Sequence, residues 1–153
     1  MNRFRDYETD GLTFSKKFLL LSFVLLYPLF VSMYTMLPPL IGLVGYSLII
    51  NIDKNKFYMF ASLLYLLNLD LNLTLPLFLS TLISVLIYIF FYARLKLLIR
   101  CRVCLLFALI ALIDFSYYVS LFVYDFIFNA STVLGDMLLI FYIVVDIFIG
   151  VLL

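Results

Sequence analysis

Six apolar stretches separated by short polar breaks run along the chain: Phe18 to Leu37, Leu40 to Ile52, Phe57 to Leu69, Leu75 to Ala93, Val103 to Phe128 and Leu134 to Leu153. A helix rising 1.5 Å per residue needs about 20 apolar residues to cross a hydrocarbon core about 30 Å thick. Four of the six stretches meet that length, and the pattern predicts membrane-crossing helices joined by short loops. The second and third stretches have 13 residues each, about 20 Å of helix. A re-entrant hairpin built from them would bury the Asp53-Lys54-Asn55-Lys56 tip in hydrocarbon. Two crossings are therefore expected, lengthened over Pro38 and over Asn68 to Leu73 toward the outer interface. The predicted spans are 18–37, 38–52, 57–73, 75–93, 103–126 and 134–153, in one transmembrane domain covering 1–153 with residues 1–17 as a cytoplasmic segment.

Composition sharpens this reading. The chain is 67% hydrophobic and 12% charged, with a mean hydropathy of +1.25, against about 45–50% apolar and about 25% charged in soluble domains. A soluble globular protein is excluded. The ten Lys and Arg residues fall only before the first stretch, between the second and third, and between the fourth and fifth. Alternate breaks thus carry all the positive charge, which orients them toward the cytoplasm. The expected class is an all-α polytopic integral membrane protein of six transmembrane helices, N and C termini cytoplasmic, in a plasma membrane. The first stretch lacks a small-residue cleavage site and reads as a retained anchor.

Candidate chemistry is sparse. With no His, no Gly-rich phosphate loop, no nucleophile paired with a base and no cluster of metal ligands, no catalytic residue, metal or cofactor is expected, and the protein is not expected to be an enzyme. Lipid and other integral membrane proteins are the expected partners, and nucleic acid is not. Asp114 and Asp146 each lie about 11 residues into their stretches, roughly 16–18 Å deep, where an acid costs about 2.5–3.5 kcal/mol and no basic residue of this chain is at hand. Tyr118, one turn beyond Asp114, and Tyr142, one turn before Asp146, are the expected hydrogen-bond donors to them. These four residues form the candidate intramembrane site, either a proton or cation site, a lock to a partner, or a packing bond within the bundle.

Asp70, Asp125 and Asp136 fall at outer helix ends, where solvated positions are expected. Arg94, Lys96, Arg100 and Arg102 form a basic stretch suited to orientation and anionic lipid head groups. Cys101 and Cys104 make a CxxC whose cytoplasmic placement argues against a lasting disulfide. Two thiols in a His-free chain are also too few for a structural zinc. The pair reads as structural or S-acylated. Gly42 and Gly45 permit a close helix contact, and Pro28 is expected to kink the first span.

One resemblance emerges from these residues. A basic turn at Lys54 and Lys56, the stretch Leu63 to Pro76 with Asp70, and Asp114 within Ala111-Leu112-Ile113-Asp114-Phe115 resemble the rod shape-determining protein MreD family. Leu66, Thr74 and Phe78 stand where that family favours glycine. The resemblance implies a bacterial inner membrane and a non-enzymatic membrane scaffold or accessory subunit that joins other elongation proteins of the cell-shape machinery. An alternative is a small transporter component, such as the substrate-binding membrane subunit of a vitamin importer or a proton- or cation-linked subunit, in which the short second and third spans line a cavity.

Overall fold

The computed structural model describes residues 14–34, 37–73, 76–128 and 136–152, and every regular element among them is helical. In chain order these are α1 (Phe14–Met33), α2 (Ile41–Asn51), α3 (Lys56–Asn72), α4 (Leu79–Leu98), α5 (Arg102–Phe128) and α6 (Asp136–Leu152). Three stretches are long and apolar enough to cross a membrane: Ser15–Met33, Leu79–Leu98 and Val103–Phe128. The apolar helices Ile41–Asn51 and Ile140–Leu152 are shorter. α3 has 17 residues and ends on the polar run Asn68, Asp70 and Asn72.

The shortest helix sits at the centre. α2 packs against α3, α4, α5 and α6, whereas α1 leans chiefly on α3. Gly45 makes this crowding possible, because a Cβ there would lie 2.9 Å from the Ser84 hydroxyl and 3.1 Å from Ile113. Close backbone approach of this kind is how membrane helices gain packing contact without a hydrophobic driving force. Around the contact lie the buried residues Leu48, Ile49, Leu66, Leu69, Leu109 and Ile113. The outward faces of α1, α4 and α5 carry exposed Phe, Leu and Ile, among them Phe18, Leu82 and Phe122.

Several element boundaries differ from the expectation, and α1 ends at Met33 rather than at 37. The second span was expected to run back over Pro38, but α2 begins only at Ile41, after Leu40 takes a left-handed φ of 51°. α4 begins at Leu79 rather than near residue 75, again after a left-handed residue, Phe78, at φ 69°. It also continues to Leu98, so Arg94 and Lys96 sit on its last turns rather than in a loop. A π-helical turn at Tyr88–Tyr92 widens α4 on the way. There the Tyr88 and Tyr92 rings stack at 5.5 Å and the Tyr88 hydroxyl donates to Asp53 Oδ2 at 3.1 Å.

Left-handed backbone costs a residue bearing a Cβ about 1–2 kcal/mol, and glycine escapes most of that cost. Phe78 is 57% exposed, so its ring contributes little packing, whereas Leu40 is buried at 5%. Phe78→Gly is therefore expected to raise stability by about 0.5 kcal/mol after the entropic cost of glycine. Leu40→Gly is expected to lower it, because emptying a packed leucine site leaves a cavity that costs about 2–5 kcal/mol. Reversible unfolding of both variants in detergent checks the opposite signs.

Pro28 lies inside α1 and is fully buried. Proline has no N–H, so the Val24 carbonyl one turn earlier loses its helical donor. Asn68 of α3 supplies a replacement, its Nδ2 donating to the Leu25 carbonyl at 3.0 Å and the Val24 carbonyl at 3.4 Å. A neighbouring helix thus repairs the break.

Candidate functional site

The site is built around the first turn of α2. A helix start leaves its leading N–H groups without intrahelical partners, and Leu40, at the cap position, has no side chain able to accept them. The acceptor comes from the far end of the chain. Asp146 of α6 presents Oδ2 to the Gly42 amide at 3.0 Å and to the Leu43 amide at 3.3 Å. A carboxylate here also faces the positive end of the helix dipole. The strand of chain leading into α2 is satisfied in the same way from outside. Tyr27 donates to the Pro38 carbonyl at 2.9 Å and Tyr65 to the Pro39 carbonyl at 2.8 Å.

Asp114 of α5 closes the other side of the turn. A Cβ built on Gly42 would lie 2.6–2.7 Å from the Asp114 carboxyl atoms, so only glycine leaves room for that carboxyl group. Both acids are buried, Asp114 at 4% and Asp146 at 1% exposure. Asp114 Oδ2 and Asp146 Oδ1 have no hydrogen-bond partner. Asp114 and Asp146 therefore do meet, around Gly42. Tyr118 lies within electrostatic range of Tyr142 and of both acids, so the four expected residues gather in one region. Two backbone amides of α2 donate to Asp146, partners that the tyrosine spacing does not suggest. A tyrosine one turn away shares a helix face with the acid, but an open helix start offers two aligned donors.

A second arrangement repeats the first. Asp70 was expected at a solvated helix end, yet it is fully buried at 0% exposure. Its Oδ2 accepts from the Ser80 amide at 3.2 Å and the Ser80 hydroxyl at 2.9 Å, at the start of α4. As at α2, a left-handed residue precedes the helix and a carboxylate from another helix caps it. The correction has a plain cause: α4 folds back over the end of α3, and its first amides need an acceptor more than Asp70 needs water. Ser84 extends the polar line by donating to the Ser80 carbonyl at 2.9 Å. Sequence reasoning missed Ser80, Tyr65 and Tyr27. The turn chemistry of Pro38-Pro39 and Pro76 was the available signal, since each proline stretch delays a helix and leaves backbone groups to be met.

The remaining expected residues stand apart. Asp125 is half-buried, and the side chains of Asp136 and Arg102 lie outside the described residues, although Asp136 does open α6. Arg94, Lys96 and Arg100 are exposed at the α4–α5 junction, with the Lys96 ammonium 5.7 Å from the Tyr92 ring centroid. Cys101 and Cys104 are free and exposed beside them. Among the described residues no group of three or more metal-ligating side chains comes together.

No protein-family model, curated protein or solved structure matches this chain.

Proposed function

We propose that the chain is a non-enzymatic integral membrane scaffold or accessory subunit of a bacterial inner-membrane complex, of the cell-shape kind that the MreD resemblance implies. In this reading α1 to α6 make six crossings, with both termini and the basic residues on the cytoplasmic side. The observation that carries the proposal is the capping of α2 by Asp146 across the bundle. An acid whose Oδ2 accepts two of the chain's own amides ties α6 to α2, which is the work of a contact that holds a bundle together.

The depth of this contact fits the same reading. α2 has 11 residues, about 16 Å of helix, so a start facing away from the cytoplasm falls inside the hydrocarbon layer. Irregular backbone at that depth is tolerated only where protein surrounds and satisfies it. Tyr27, Tyr65 and Asp146 meet that demand. The two acids that carry the resemblance, Asp70 and Asp114, both stand at such helix starts. Phe78, where the family favours glycine, has the φ of 69° that glycine adopts without strain.

The test is depletion of the protein in its native host, followed by microscopy of cell outline and gentle co-purification. Rounding or swelling of rod-shaped cells, reversed by the wild-type chain, with retention of larger membrane proteins on the purified subunit, is the expected result. Normal outline after verified depletion, or isolation as a lone monomer, overturns the proposal.

A further inference from the structure

The cysteine pair at the α4–α5 junction is placed for chemistry that the scaffold reading does not use. Cys101 occupies the cap position of α5: its carbonyl accepts the first helical hydrogen bond, from the Leu105 amide at 3.0 Å. Its thiol therefore stands at the positive end of a 27-residue helix. The neighbouring Cys104 thiol and the backbone N–H groups of Cys104 and Val103 at this open helix start favour the thiolate and hold the Cys101 thiol below its ordinary range. Both sulfurs are exposed. They lie one helical turn apart, a spacing that a disulfide can span. Arg94, Lys96 and Arg100 are exposed around the same junction. Together these make an attacking thiol at a helix start, a second exposed thiol one turn on, and a positive surface around both, which a structural cysteine does not need.

We propose that Cys101 and Cys104 form a reversible dithiol–disulfide site on the basic face of the protein, which exchanges with anionic low-molecular-weight disulfides. The Cys101 thiolate attacks one sulfur of the small disulfide, forming a mixed disulfide at Cys101 and releasing one small thiolate, which takes up the proton Cys101 has lost. Cys104 then gives up its proton and attacks the Cys101 sulfur. The mixed disulfide breaks, the Cys101–Cys104 bond forms, and the second small thiolate leaves with that proton. Two protein thiols are oxidised and one small disulfide is reduced to two thiols. A transient bond of this kind is the form in which disulfides occur in reducing compartments, so the site is compatible with a cytoplasmic face. The inference does not rest on the scaffold reading.

The experiment uses the full chain in neutral detergent micelles, with oxidised glutathione as the anionic probe and cystamine as its cationic counterpart, followed by alkylation and mass measurement of intact protein. The wild type is expected to lose both free thiols together with no net adduct. Cys104→Ser is expected to stall as a glutathione mixed disulfide at Cys101, and Cys101→Ser to react at least about tenfold more slowly than Cys104→Ser. At low salt the anionic probe is expected to outpace the cationic one, with the gap closing as salt screens the basic residues. Equal reactivity of the two single variants, or stable adducts on the wild type in place of an internal disulfide, overturns the proposal. Both side chains are exposed, so the serine variants keep the fold.

Discussion

Asp146→Ala is expected to destabilise the folded chain by about 3 kcal/mol, because hydrogen bonds to a charged acceptor are worth about 1.5–3 kcal/mol and their loss strands buried donors. The Gly42 and Leu43 amides have this carboxylate as their acceptor, and Leu40 cannot replace it. Asp146→Asn is a milder change. It keeps an oxygen toward the two amides and places its amide nitrogen where Oδ1 has no partner. The expected loss is then about 1 kcal/mol, the scale of a charge at a helix start. Equilibrium unfolding in mixed micelles, followed by far-UV circular dichroism, ranks the two variants. Equal losses for Ala and Asn, or no loss for either, exclude Asp146 as the cap that holds α2.

Gly42→Ala is expected to cost about 2 kcal/mol, in the range of overpacked cores, because the added methyl group would sit 2.6–2.7 Å from the Asp114 carboxyl atoms. The cause is size, and the double variants separate it from charge. Asp114→Ala removes the obstructing atoms, so Gly42→Ala in that background is expected to cost less than about 0.5 kcal/mol beyond the single change, a coupling of the kind neighbouring residues show. Asp114→Asn removes the charge and keeps the volume, and in that background Gly42→Ala is expected to remain fully destabilising. Relief by Asn as complete as relief by Ala would show that charge, not space, sets the contact.

These two residues also mark what was legible in advance. The long apolar runs announced α1, α4 and α5 directly, since nothing but a helix satisfies so much backbone in so apolar a stretch. Asp114 and Asp146 stood out because an acid in such a run demands a partner. The partner itself was hidden. The amides of Gly42 and Leu43 lie more than 100 positions away in sequence from Asp146, and no local pattern joins them. Asp70 misled for a related reason: beside Asn68 and Asn72 it looks like a wet helix end, and only the return of α4 over it reveals burial. The left-handed Leu40 and Phe78 are neither glycine nor asparagine, so only the prolines just before them mark the turns.

The bond between α2 and α6 also bears on the order of assembly. Gly42 and Asp146 are 104 positions apart, and synthesis at about 5–20 residues per second delivers the acid roughly 5–20 s after the amides it caps. During that interval the first turn of α2 needs water or another acceptor for its two amides. α6 emerges after the helices it is bonded to, so a chain released before α6 leaves the Gly42 and Leu43 amides without their acceptor and presents an open helix start to proteases.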